Sequence, residues 1–518
     1  MDGGGCSVSM TETTSEHEVL EAPAVQTKSG WVRGTWQTGS SAAYLGIPFA
    51  AAPLGSLRFQ EPKPPEPWTG VRDVTRYGPT PQRRPFAEVT TIPEPSIPGD
   101  DILNLNVFTP APGDCEAKLP VLVWIHGGGY FAGSPASPWY NGRSFNERGI
   151  VVVTLAYRLG FQGFGWMEGA PLNRGILDQI AALRWVHENI RNFGGDPDRV
   201  TIAGQSAGGG SVLTLLCSPL ADGLFRAAMP MSAAIGQLDL DAAQEVGRRI
   251  ARHFGIEPKA SAWANIPQDD ILDVERSYNV VPGDAPVASV AAMMEKLRAR
   301  RFGDGALAFR PVVDGRVIPN PIDHPETLRR TARIPVLIGS TRNEFSFPGS
   351  DAPSFDEIVR ELGQFGLPAS AVEQYENDVE RIGRDRAWGQ MMTSYIFRTG
   401  LAYLVERRKR AGAGARTWVY DFAAMSSRAR GSFHCHDLPY FFHLLDAPQV
   451  DRELGTGLSR PLADAMHEVM CTFVRDAALP HPSAEESPAG AMRFQGLVRY
   501  DEHAYAFERE LLMRARAL

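Results

Sequence analysis

Cysteine is scarce in this chain: five residues in 518, at Cys6, Cys115, Cys217, Cys435 and Cys471. A set that small, odd in number and widely scattered builds neither a disulfide framework nor a Cys-x-x-Cys metal pattern. It predicts reduced thiols in a cytoplasmic protein. Long hydrophobic runs are missing too. Val121–Ile125 and Ile150–Ala156 are strand-length, far short of the roughly 20 residues that span a bilayer, so no membrane partner is expected. Residues 1–23 are polar and acidic without an apolar segment, which predicts a disordered tail and no secretory leader. Basic charge is outnumbered, 52 Lys and Arg against 60 Asp and Glu for a net −8. With no basic block, the electrostatic footprint of a nucleic-acid binder is absent.

What is present is a large soluble core, with 43% hydrophobic and 22% charged residues. No internal repeat or long linker divides it. One domain over 24–518 is expected, with helical insertions at about 230–330 and 345–430. Those insertions hold Met293, Met294, Met391 and Met392, pairs that fit core packing better than a pocket lining. Continuous apolar runs at Lys118–Ile125, Gly149–Tyr157 and Arg199–Ala203, and later at Ile334–Gly339 and Thr417–Phe422, read as buried strands. Between them Gly175–Phe193 places Ile176, Ile180, Leu183, Val186 and Ile190 on one helical face and stops at Gly194-Gly195. Continuous strands separated by helices predict an α/β fold: a large, mostly parallel sheet covered on both sides.

Two glycine-rich segments carry chemistry. Gly204-Gln205-Ser206-Ala207-Gly208 is a G-x-S-x-G between a strand and a helix. There a tight turn lifts a serine hydroxyl above the sheet and the helix N-terminus points at the same spot. His126-Gly127-Gly128-Gly129 also follows a strand. Its Gly127-x-Gly129-x-x-Ala132 spacing fits a loose dinucleotide fingerprint with Glu147 as the ribose acid, but Gly133–Pro138 breaks the helix such a site requires. The better reading is a loop of bare amides facing an oxyanion, with His126 a hydrogen-bonded packing residue.

A serine hydroxyl needs a base, and the base needs an anion to hold its tautomer. Among eleven histidines, His434 stands out in a loop after the Thr417–Phe422 strand. His443 and His467 read as surface or satisfied core residues. His434-x-His436 beside Cys435 lacks a further ligand cluster, so neither a metal nor a cofactor is expected. Glu344 follows the Ile334–Gly339 strand, where a loop carboxylate reaches the active edge of the sheet. Asp314 is the fallback acid, in a setting that reads as a plain β-turn. The order Ser206, Glu344, His434 is the one this topology uses.

By these motifs the chain resembles the type-B carboxylesterases, the cholinesterase/carboxylesterase branch of the α/β-hydrolases, and within them the bacterial para-nitrobenzyl-esterase type. The likeness runs from about Val25 through Gly46-Ile-Pro-Phe-Ala50, Leu57-Arg-Phe59, Asp101–Val107, Trp124–Gly129, Tyr157–Gly160, Leu177–Gln179, Arg184–Val186 and Phe193–Pro197. It continues past the elbow into Pro311–Gly315 and His434–Pro439. The resemblance implies an α/β-hydrolase fold whose insertions wall a gorge, and a serine esterase for small to medium hydrophobic esters. It also implies Ser206 as nucleophile, Glu344 as acid, His434 as base, and an oxyanion hole from the N–H groups of Gly128, Gly129 and Ala207. Activity should rise from acid towards neutral pH as the histidine base loses its proton. A carbamate or amide hydrolase with the same residues and a non-catalytic relative are the alternatives; monomer and homodimer both remain open.

The chain departs from the family at five positions. Ile102 and Thr80 stand where a cysteine pair is common, which fits a reducing compartment. Gln205 replaces a frequent glutamate, removing a charge beside the nucleophile. Asn343-Glu344-Phe345 replaces Asp-Glu-Gly, so Phe345 is expected to narrow or re-aim the acid loop.

Overall fold

The computed structural model describes residues 22–84, 90–281, 286–303, 307–349 and 352–518. The tail expected over 1–23 lies outside them, apart from Ala22 and Pro23. An 11-stranded mixed sheet organises the chain. Its centre is parallel: Val151–Leu155, Leu119–Ile125, Gly195–Gln205, Ala227–Met231, Val336–Thr341, Thr417–Phe422 and Ala491–Gln495 lie side by side in that order. Both margins turn antiparallel, through Asn104–Thr109, Ser41–Pro48 and Thr35–Thr38 on one side and Leu497–Asp501 on the other. A separate 3-stranded sheet joins Ala24–Thr27, Gly30–Arg33 and Val71–Asp73.

Side-chain alternation explains why the central strands read as unbroken apolar runs. Val121, Val123 and Ile125 enter one core cluster, which includes Ile176, Ile180, Leu183 and Val212 from helices Arg174–Asn189 and Ala207–Cys217. Leu122 and Trp124 enter the opposite cluster, with Met466, Met470 and Phe473 of helix Arg460–Asp476. Both faces of strand Leu119–Ile125 are therefore dry.

Between Ala227–Met231 and Val336–Thr341 the chain forms helices Leu240–His253, Gln268–Tyr278 and Val290–Arg298. Helices Phe355–Gln364, Ala369–Ile382 and Thr399–Arg408 lie between Val336–Thr341 and Thr417–Phe422. Met293, Met294 and Met391 are buried in one cluster with Ile358, Leu362 and Tyr375, and Met392 packs against it. Among the described residues no helix is long and apolar enough to cross a membrane.

Candidate active site

Parallel strands deliver their loops to one edge, and the four loops singled out from the sequence all leave the carboxyl ends of central strands. The elbow is the tightest. Ser206 adopts φ 60° and ψ −121° between strand Gly195–Gln205 and helix Ala207–Cys217, a conformation costing about 1–3 kcal/mol for a residue with a Cβ. Its N–H donates to Met231 O (2.9 Å) and its carbonyl accepts from Gly210 N–H (2.9 Å), pinning the turn from both ends. Close approach explains the flanking glycines. A Cβ on Gly204 would lie 2.7 Å from Ile125 O, and one on Gly208 would overlap that same carbonyl.

The glycine loop packs directly against this elbow: a Cβ on Gly127 would meet Gln205 O at 2.7 Å and Ser206 Cβ at 3.1 Å. Gly128 and Gly129 have φ 113° and 61°. Among the described residues, the N–H groups of Gly128, Gly129 and Ala207 donate no hydrogen bond within the protein. His126 behaves as a packing residue. It is buried, donates from Nδ1 to Gly127 O (2.8 Å) and stacks on Tyr157 (4.6 Å), while burial pushes its pKa down to about 4.

The acid and base loops are stitched together. Asn343 N–H donates to Ser432 O and His434 N–H to Glu344 O, both at 3.0 Å. Asn343 Oδ1 accepts from the N–H and hydroxyl of Ser432 (3.1 Å each), and its amide nitrogen donates to Gln390 (2.8 Å). Glu344 is fully buried; Oε1 accepts from Thr341 N–H (2.8 Å) and Oε2 lies 2.5 Å from His434 Nδ1. A carboxylate there makes Nδ1 the donor and leaves Nε2 with its lone pair. Phe345 lies edge-on to the imidazole (5.1 Å) and Phe397 lies 5.0 Å from it. Phe397 comes from a π-turn, Ser394–Arg398, a local irregularity common at functional sites.

Glu344 and His434 thus come together as expected, on the same sheet edge as Ser206. The Ser206 hydroxyl, however, makes no hydrogen bond to the ring among the described residues; His434 Nε2 instead faces the side-chain nitrogen of Gln205 at 3.1 Å. Asp314 is elsewhere: its Oδ1 accepts from the N–H groups of Arg316 and Ile318 and its Oδ2 from Asn173, a turn carboxylate. His436 and His467 are buried and His443 pairs with Asp464. Among the described residues no cluster of His, Cys, Asp and Glu is arranged to hold a metal.

Beneath the acid loop lies a buried ion network. Asp421 accepts from Arg342 (2.7 Å), Arg398 (2.8 Å) and Arg493 (2.9 Å), while Arg398 also binds Glu508 (2.8 Å). Burial alone would raise the Asp421 carboxyl, but the three guanidinium groups more than offset it and hold it well below its ordinary range. Sequence reasoning missed this network and Phe397, because neither has a local signature. Gln205 and Asn343 stood out only as departures, although each adjoins a residue already singled out.

The family model described as Carboxylesterase family matches residues 21–489. The chain belongs to the carboxylesterase family. This carboxylesterase is 32% identical over 479 residues to the para-nitrobenzyl esterase of Bacillus subtilis (strain 168), covering 89% of this chain and 91% of the relative. Phenmedipham hydrolase of Pseudarthrobacter oxydans is 30% identical over 497 residues, with 89% and 92% covered. A crystal structure of a Geobacillus stearothermophilus carboxylesterase superposes with a TM-score of 0.75 at 32% identity, over 94% of this chain and 99% of that one. The carboxylesterase is a carboxylic ester hydrolase of the α/β-hydrolase fold.

Proposed function

We propose that this carboxylesterase cleaves small to medium hydrophobic esters by acyl transfer to Ser206, with His434 as general base and Glu344 as its orienting anion. The observation that carries this reading is the 2.5 Å contact of His434 Nδ1 with buried Glu344, which turns the opposite ring nitrogen towards the elbow. His434 takes the Ser206 proton as Oγ attacks the ester carbonyl. The N–H groups of Gly128, Gly129 and Ala207, which have no internal partner among the described residues, then hold the oxyanion. Each such donor is typically worth about 2.7–4 kcal/mol of transition-state stabilisation. The imidazolium protonates the departing alcohol, and water, activated by the same ring, releases the acid.

Apolar walls around the site favour hydrophobic substrates. Phe345 and Phe397 flank the imidazole, Phe345 stacks with Phe347 (6.3 Å) and Phe347 with Phe433 (5.3 Å). On the oxyanion side, a Cβ on Gly129 would meet Phe131 at 2.8 Å and Leu307 at 3.2 Å, so both side chains crowd that loop. The test is hydrolysis of a p-nitrophenyl ester chain-length series, with phenmedipham included, by the wild type and Ser206→Ala. The variant should lose on the order of 10⁵-fold or more in kcat; equal rates would remove Ser206 from the mechanism.

A further inference from the structure

The lone pair that must receive the Ser206 proton is already engaged. With Nδ1–H committed to Glu344, His434 Nε2 is an acceptor, so the group 3.1 Å away must donate, and the Gln205 amide nitrogen does. Cys435 also adjoins the amide, and burial, followed by Asp437 and Glu344, keeps its thiol protonated. Gln205 is buried and ends the strand that carries Ser206, so its side chain has little freedom to leave this place.

We propose that Gln205 is a positioning residue for the base, parking the His434 lone pair on a neutral donor in the free enzyme until substrate brings the Ser206 hydroxyl into that place. The inference rests on the reading of Ser206 and His434 given above. A protonated ring would present N–H against N–H, so the amide selects the neutral, proton-accepting form. When Ser206 Oγ–H takes over the lone pair, the amide N–H lets go. The proton then passes from Oγ to Nε2 with no other group changing its protonation.

The other titratable groups around the ring are few. Glu344 is its partner on Nδ1. His436 is held neutral, its pKa pushed by burial down to about 4. Asp437 is raised to about 7 by burial and then by Glu344, and Cys435 is raised by burial. Phe345 and Phe397 bring no charge, and the nearby Arg398 is bound to Asp421 and Glu508. None of these residues is itself altered by a substitution at 205, so the difference between variants reports on that position.

The experiment is the pH dependence of kcat/KM on a p-nitrophenyl ester for wild type, Gln205→Glu and Gln205→Met, each normalised to its own plateau, with circular dichroism to verify folding. A carboxylate at 205 accepts from a protonated ring and holds it; the acid limb should move up by about one pH unit, a tenfold loss at its foot. Methionine removes the donor without adding charge, and should move the limb in the same direction by less. Should the buried glutamate prevent folding, the methionine variant alone decides. Coincident acid limbs in every folded variant, or a downward shift, overturn the proposal. Ser206→Ala separates the two readings. If it is inactive while the Gln205 variants keep the wild-type limb, only the Gln205 assignment falls; if it is fully active, the site itself does.

Discussion

The two halves of the site are built by different physics. The nucleophile half is made of backbone: Gly204 and Gly208 let the elbow press against Ile125 O, and Gly127 lets the oxyanion loop lie on Gln205 and Ser206. The acid–base half is made of side chains. There Asn343 clasps Ser432 and Gln390, and Asp421 gathers Arg342, Arg398 and Arg493 beneath the loop that carries Glu344. A turn defined by excluded volume is local and rigid. A loop held by buried charges depends on partners up to dozens of residues away, and only a fully satisfied network holds it.

The contrast is broken most strongly at Asp421. Asp421→Ala removes the carboxylate that three buried guanidinium groups share, leaving Arg342, Arg398 and Arg493 with one carboxylate each (Asp378, Glu508 and Asp501). It should cost about 3–5 kcal/mol, or prevent folding, because buried positive charge is then undercompensated. Thermal unfolding and the specific activity of the soluble fraction measure it; a variant as stable as wild type would mean the network is dispensable. On the glycine side, Gly208→Ala forces a methyl into Ile125 O and within 2.8 Å of His126 O. The expected cost is about 1–3 kcal/mol, with a fall in kcat because the elbow and the oxyanion loop share that contact. An unchanged kcat would detach the elbow's shape from catalysis.

The smallest effect separates the halves by pH. Asp437 is buried, accepts from Tyr420 (3.0 Å) and is raised to about 7 by burial and then by Glu344. The folded protein therefore keeps a proton that the unfolded chain has lost, so this contribution to stability is full below about pH 4 and is lost as pH rises through about 7. Asp437→Asn should flatten that decline, by at most about 1.4 kcal/mol per pH unit. His126, the histidine of the glycine side, has its pKa pushed by burial down to about 4 and so titrates at the foot of that range rather than through it. A melting-temperature series from pH 5 to 8 that is parallel in both proteins would locate the pH sensitivity elsewhere.

The same contrast governs what could be read from the sequence. Strands dry on both faces leave unbroken apolar runs, so Leu119–Ile125, Val151–Leu155 and Thr417–Phe422 were visible. The elbow and the glycine loop were visible because close backbone approach demands glycine within a few residues of the serine or amide it exposes. The antiparallel margin was not: Ser41–Pro48 carries a glycine and a proline, residues that interrupt a strand pattern. Strand Gly195–Gln205 begins inside Gly195-Asp-Pro197, which read as a helix stop; both readings are true of the same residues. On the acid–base side Glu344 and His434 were found by their place after strands. The contacts that fix them join Asn343 to Ser432, Arg342 to Asp421 and Phe397 to His434, pairings that exist only once the chain is folded. Gln205 is the intermediate case, conspicuous as a residue but silent about the ring it faces.

The central claim is that one covalent bond forms at the elbow and that the imidazole opposite makes it form. The direct measurement is mass spectrometry of the intact and digested enzyme after reaction with an alkyl p-nitrophenyl phosphonate, followed over time in wild type, Ser206→Ala and His434→Ala. The account predicts one adduct per chain, on the peptide containing Ser206, absent from Ser206→Ala and slowed by several orders of magnitude in His434→Ala. An adduct on another residue, or labelling of Ser206 at the wild-type rate without His434, would contradict it.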